Sequence, residues 1–125
     1  MTGRPPPIVS VVDDDESVRE SLPDLLRELG YAARAFASAQ EFLAFDRLAD
    51  TRCLILDVAM PGMSGPELQH ELAVQGRPIP IIFVTALTDR SLVSDLLQRG
   101  AVACLIKPFS EQELREALAT ALPGT

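Results

Sequence analysis

A chain of 125 residues with 47% apolar content has the size of one domain and can bury a core without disulfides or a structural metal. Its net charge of -7 excludes the basic face that nucleic acid or an anionic membrane requires, so any DNA binding has to come from another domain. Cys53 and Cys104 lie in separate apolar runs without Cys-x-x-Cys spacing, which predicts reduced packing thiols and no disulfide or zinc site. The N-terminus has no apolar signal region, and no apolar run approaches the roughly 18 residues of a membrane span, so a cytoplasmic protein is expected.

In chain order, residues 1–7 form a Pro-rich leader that is expected to stay outside any sheet as a mobile arm. Residues 8–122 are expected to form the folded domain, and residues 123–125 a tail that leads into a linker to a further domain. Ile8-Val9-Ser10-Val11-Val12 reads as a first strand that ends in Asp13-Asp14-Asp15-Glu16. Asp15 and Glu16 suit the first turn of the following helix, whose positive dipole end favours acids. That helix carries Val18, Leu22, Leu25, Leu26 and Leu29 at helical spacing and stops at Gly30. Pro23 conflicts with it, since an interior proline costs about 3 kcal/mol, and a kink is expected there.

Tyr31 to Phe36 reads as a second strand, and Ser38-Ala39-Gln40-Glu41 as a capping box that opens a helix with Phe42, Leu43 and Phe45. Cys53-Leu54-Ile55-Leu56-Asp57 is a buried strand running into the Pro/Gly loop Met60-Pro61-Gly62-Met63-Ser64-Gly65, with both methionines read as loop packing. Gly65-Pro66 starts a helix that Gly76 ends, with His70 exposed on it. Pro80 to Val84 gives a fourth strand leading into Thr85-Ala86. Leu92, Val93, Leu96 and Leu97 mark a fourth helix, mostly as core, with an exposed remainder available to a dimer contact. Ala101 to Ile106 is a fifth strand closed by Lys107-Pro108-Phe109, and Ser110-Glu111-Gln112-Glu113 caps a last helix through Leu114, Ala117, Leu118 and Leu122.

Five strands that alternate with five helices over short connections predict an α/β fold, a doubly wound parallel sheet with helices on both faces. In such a sheet the carboxyl ends of the strands share one rim, where ligands bind. The strand assignment alone therefore gathers Asp13, Asp14, Asp57, Thr85 and Lys107 into one crevice. Three carboxylates at close quarters repel, and oxygen-only ligands of this kind suit Mg²⁺, which commonly keeps open positions for a phosphate oxygen. Asp57 can then serve as an oxygen nucleophile toward phosphorus, with the Lys107 ammonium and the Thr85 hydroxyl stabilising the transferred oxygens. No further basic group is evident, which suits a donor already activated as phosphohistidine or a small acyl phosphate.

Asp-Asp after the first strand, Asp-x-x-Met-Pro-Gly-Met-x-Gly after the third, Thr-Ala after the fourth and Lys-Pro-Phe after the fifth together resemble the receiver domain of two-component response regulators. The likeness runs from Ile8 to about Leu122. The stretches Asp13 to Leu22 and Phe36 to Leu43 look most like receivers of the nitrogen-fixation type, which usually precede a LuxR-type helix-turn-helix domain. The resemblance implies a flavodoxin-like (βα)5 fold with strand order 2-1-3-4-5. It implies Asp57 as phosphoacceptor, Asp14 as a direct Mg²⁺ ligand, Asp13 as a ligand through water and the Ala59 carbonyl as a further ligand. It also implies a cis Lys107–Pro108 bond, and Thr85 and Lys107 as the residues that bind the phosphoryl group. A sensor histidine kinase would be the donor, and phosphorylation would change self-association, with helix four and strand five as the homodimer surface, or effector output.

Two departures from the family pattern stand out. Receivers usually carry Tyr or Phe three residues before the lysine, where this chain has Cys104, so the switch from Thr85 is expected to run through backbone and helix-four movement. Ala59 and Leu87, two residues beyond Asp57 and Thr85, cannot hydrogen-bond an attacking water, which predicts slow self-dephosphorylation. Two other readings use the same residues. A haloacid-dehalogenase-like phosphatase also combines an aspartyl nucleophile with Mg²⁺, Thr and Lys, although its nucleophile follows the first strand in Asp-x-Asp. A degenerate receiver would act only as an interaction module.

Overall fold

The computed structural model describes residues 6–86 and 90–123. The β-branched and leucine-rich runs form five strands: β1 Ile8–Val12, β2 Ala32–Phe36, β3 Thr51–Asp57, β4 Ile81–Thr85 and β5 Ala103–Ile106. They alternate with α1 Glu16–Glu28, α2 Ala39–Leu43, α3 Gly65–Val74, α4 Arg90–Gln98 and α5 Glu111–Ala121. Every strand pairing is parallel, and the order is β2-β1-β3-β4-β5, as the resemblance implies.

Period-two alternation divides the central strands between two cores. Val9, Val11, Cys53, Ile55, Ile82, Val84 and Leu105 pack against Leu22 and Leu26 of α1 and Leu114 and Leu118 of α5. Leu54, Leu56, Ile81 and Phe83 face the other way, toward Phe42 of α2, Leu68 and Leu72 of α3 and Leu96 of α4. A sheet covered on both faces needs continuous apolar strands, which is why β1, β3 and β4 show so little polar alternation. Away from the carboxyl rim, Ser10 and Thr51 are buried polar residues of these strands, and they satisfy each other through a 2.9 Å hydroxyl hydrogen bond between β1 and β3.

Local chemistry starts the helices. Asp15 caps α1 by accepting from the Ser17 N–H. Ser64 and Ser110 open α3 and α5 as full capping boxes with Glu67 and Glu113; the first of these lies concealed in the Pro/Gly loop. The Ser38 box is only half formed. Ser38 accepts from the Glu41 N–H, but the Glu41 carboxylate turns to the Ala37 N–H at 3.1 Å.

α1 includes Pro23, which is buried, and continues to Glu28. Three expectations change. α2 stops at Leu43, and Phe45 lies beyond it, its ring tilted at 52° with its centroid 5.0 Å from that of Phe36, before a short 3-10 turn at Leu48–Asp50. Of the apolar residues on α4 only Leu96 is buried, while Leu97 is 42% exposed, so this helix is far less embedded than its composition suggests. Proline lacks a donor but keeps its acceptor: the Pro7 carbonyl takes the Ala32 N–H at 3.0 Å, tying the end of the leader to the sheet. Residues 1–5 of the mobile arm expected over residues 1–7 lie outside the described residues.

Gly65 lets α3 start directly against β3. A Cβ there would collide with the Asp57 carbonyl oxygen and come within 3.0 Å of the Phe83 ring. The Gly65 N–H also closes the loop by donating to the Val58 carbonyl at 3.0 Å. Gly65→Ala is therefore expected to lower stability in urea denaturation by about 1–3 kcal/mol, the usual effect of overpacking. Val74→Ala, on a side chain that is 68% exposed, should stay within about 0.5 kcal/mol of wild type.

Candidate functional site

The strand register builds the site. Val12 pairs with Leu56 and Asp57 with Val84, so Asp13 and Asp57 emerge side by side at the carboxyl rim. Thr85 pairs with Ile106, and Lys107 follows one residue on. Alternation sets Asp57 on the α1/α5 face with Cys53 and Ile55, and Thr85 on the α4 face with Ile81 and Phe83. Thr85, itself buried, thus stands where the crevice meets the α4 side of the sheet. Its carbonyl accepts from the Lys107 N–H at 2.8 Å, which fixes where the lysine leaves β5. The Lys107–Pro108 peptide is cis, as expected.

Asp13, Asp14 and Asp57 each place a carboxylate oxygen within 4.8 Å of the others. Lys107 Nζ donates to Asp13 Oδ2 at 2.8 Å and lies 3.9 Å from Asp57 Oδ2. Asp13 is fully buried and Asp57 nearly so, whereas Asp14 opens to solvent. The Asp57 carboxyl is pushed up to about 7, first by burial and then by the charge of Asp13, with Lys107 opposing. Burial lowers the Lys107 ammonium, but the hydrogen bond and charge of Asp13, with the charges of Asp57 and Asp15, raise it on balance.

One ammonium for three close carboxylates leaves the crevice short of positive charge. An all-oxygen donor set with one solvent-facing member fits a hard divalent cation such as Mg²⁺, and receiver domains bind Mg²⁺ at such an acidic pocket.

Cys104 lies outside the crevice. It pairs with Phe83 midway along the sheet and is half-buried, its thiol pushed up by burial, in a groove of about 620 Å³. Val93, Leu97 and Ile106 line the same groove. Cys53 is the packing thiol that was expected, fully buried and pushed up to about 12. Ala59 is exposed at the start of the loop after β3, His70 is exposed on α3, and Leu87 lies outside the described residues.

Two contacts had no plain sequence signal. The Asp15 N–H donates to Asp13 Oδ1 at 2.9 Å, and Arg19 Nη1 reaches back from α1 to the Asp13 carbonyl at 3.0 Å. A cation one turn inside a helix that opens with acids was the available hint for Arg19.

The unfolded Asp57 carboxyl titrates at 3.8 and the folded one near 7, so the fold retains a proton that the unfolded chain releases. Stability from this group is complete below 3.8 and is lost as the pH rises toward about 7. Without divalent cations, Asp57→Asn should melt above wild type, with a gap that widens between about pH 4 and about pH 7 by at most about 1.4 kcal/mol per unit. Thermal melts across that range, with and without MgCl₂, check this, and added Mg²⁺ should narrow the gap.

The family model of the response regulator receiver domain matches residues 9–119. Nodulation protein W of Bradyrhizobium diazoefficiens is 46% identical over 114 residues, covering 91% of this chain and 50% of that protein. A crystal structure of FixJ-N superposes with a TM-score of 0.80 at 38% identity, covering 91% of each chain. Thermotoga maritima TrrA, solved in complex with Mg²⁺-BeF, gives 0.80 at 32% identity, over 92% of this chain and 98% of that one. The chain spans about half the length of the curated relatives it matches. These matches disfavour the phosphatase reading, and receiver domains are signalling domains, not classical enzymes. Among the described residues no helix is long and apolar enough to cross a membrane. The chain belongs to the response regulator receiver domain family.

Proposed function

We propose that Asp57 is the phosphoacceptor of this receiver, with a sensor histidine kinase as its donor and Mg²⁺ as its cofactor. The observation that carries the reading is the rim cluster itself: three carboxylate oxygens within 4.8 Å, with the Lys107 ammonium bonded to one and 3.9 Å from another. Asp13, Asp14, Asp57 and the Ala59 carbonyl would hold the cation, Asp13 through water. Bound there, Mg²⁺ would relieve the carboxylate repulsion and offer a coordination site to a phosphoryl oxygen.

An Asp57 Oδ lone pair attacks phosphorus in line with the P–N bond of a phosphohistidine. The O–P bond forms, the P–N bond breaks, and the departing imidazole nitrogen keeps the electron pair. Asp57 must be ionised to attack, so the forces that raise its proton affinity also make it a better base once charge in the crevice is balanced. Lys107 exchanges its Asp13 contact for a phosphoryl oxygen, and the Thr85 hydroxyl donates to another.

Thr85 lies on the α4 face of the sheet, so its movement is felt by α4 and β5. With Cys104 in place of an aromatic ring, the relay runs through backbone and α4 displacement. It alters the groove lined by Val93, Leu97 and Ile106, the surface offered to a second copy or to an effector domain in a longer protein. Residues 8–122 make up the receiver unit, which works in the cytoplasm. Ala59 and Leu87 carry no group that orients water, so the acyl phosphate is long-lived.

Incubation with acetyl phosphate and MgCl₂ should add one hydroxylamine-labile phosphoryl group by intact mass. The adduct should be absent in Asp57→Asn and should persist well beyond seconds after the donor is removed. An adduct retained in Asp57→Asn would sink the assignment.

A further inference from the structure

We infer that Arg19 is a positioning residue for the divalent-cation ligands, acting through the main-chain carbonyl of Asp13. The inference rests on reading Asp13 and Asp14 as ligands of that cation.

Asp13 is held at each of its polar groups. Its N–H donates to the Phe36 carbonyl at 3.1 Å, Oδ1 accepts from the Asp15 N–H at 2.9 Å, and Oδ2 accepts from Lys107 at 2.8 Å. The Arg19 guanidinium supplies the remaining contact, donating from Nη1 to the carbonyl oxygen at 3.0 Å. That carbonyl belongs to the peptide joining Asp13 to Asp14. Its plane is shared by the two acids, and a tilt about it would move the Asp14 carboxylate relative to Asp13 and Asp57. Phe36 and Lys107 fix the Asp13 side of this peptide, and Arg19 fixes the peptide itself. The acid that opens to solvent has less packing of its own to orient it, and so depends most on this contact.

The location of Arg19 supports the role. It sits at the end of the first turn of α1, after the Asp15 cap and Glu16, where the helix dipole favours acids and disfavours a cation. The side chain is half-buried, and its bond crosses six residues to a main-chain oxygen at the crevice. Charged donors make stronger hydrogen bonds than neutral ones, which suits a contact that must keep a peptide plane in place beside mutually repelling carboxylates.

Isothermal titration of the metal-free protein with MgCl₂ tests this on wild type, Arg19→Ala, Arg19→Gln and Arg19→Lys, with metal-free thermal melts alongside. Substituting groups that orient metal ligands typically weakens metal binding about 10–100-fold. Arg19→Ala and Arg19→Gln are expected near the lower end, about ten-fold weaker. Arg19→Lys should recover part of the loss, because an ammonium can still donate to the carbonyl but lacks the rigid fork. Initial phosphorylation rates with acetyl phosphate should then show a raised Mg²⁺ requirement and an unchanged rate at saturating Mg²⁺.

Variants that bind Mg²⁺ like wild type would overturn the inference. So would a loss of binding that simply follows a lower metal-free melting temperature and is not recovered by lysine. A wild-type protein that takes up no Mg²⁺ removes the underlying assignment of Asp13 and Asp14, which separates that failure from failure of Arg19 alone.

Discussion

Repulsion among Asp13, Asp14 and Asp57 is the constraint around which the structure is arranged. Bringing their oxygens within 4.8 Å, with Asp13 and Asp57 buried, opposes folding, because a desolvated carboxylate next to another is disfavoured in its charged form. The compensation comes from groups that cannot easily move away. These are the ammonium of Lys107, a residue whose main-chain N–H is tethered to β4, the Asp15 N–H at the mouth of α1, and the Arg19 guanidinium on the Asp13 carbonyl. The crevice stores electrostatic strain in the way a receptor for cations must, and the sheet supplies the rigidity.

That rigidity follows from strand order. After β1 the chain crosses to β2 on one side, then returns to β3 on the other, so the loops after β1 and β3 splay apart above neighbouring strands. The acids sit in the resulting cleft because the β1–β3 register brings Asp13 level with Asp57. Gly65 contributes from the far side of the loop, where the absence of a side chain lets α3 press on the Asp57 backbone. Asp57 is consequently held by packing at its main chain and by charge at its side chain.

Most of this frame was legible in the sequence, for physical reasons that differ between elements. Buried parallel strands must be continuously apolar, so Ile8–Val12, Leu54–Leu56 and Ile81–Val84 declared themselves, and the acids, Thr85 and Lys107 could be placed at one rim by counting to the strand ends. Residues whose partners lie close by, such as the Ser110–Glu113 box, were equally plain. What escaped depended on packing. In the pairs Leu92-Val93 and Leu96-Leu97, helical spacing cannot say which neighbour turns inward, and the structure buries Leu96 while leaving Leu97 in the open groove. Glu41 had two N–H groups within reach, and the backbone after β2 gave it to Ala37. Arg19 escaped because its acceptor is a main-chain carbonyl, which every residue type offers.

The attachment of α4 has a thermodynamic corollary. Among the described residues its one buried side chain is Leu96, and burying a leucine is worth roughly 1.5–3 kcal/mol, comparable to a single good charge-assisted hydrogen bond. α1, by contrast, sinks Leu22, Pro23 and Leu26 into its core. The domain is therefore mechanically graded, with α4 lightly moored beside the rim and α1 deeply rooted in its core. Such a gradient gives the molecule a preferred direction in which to yield.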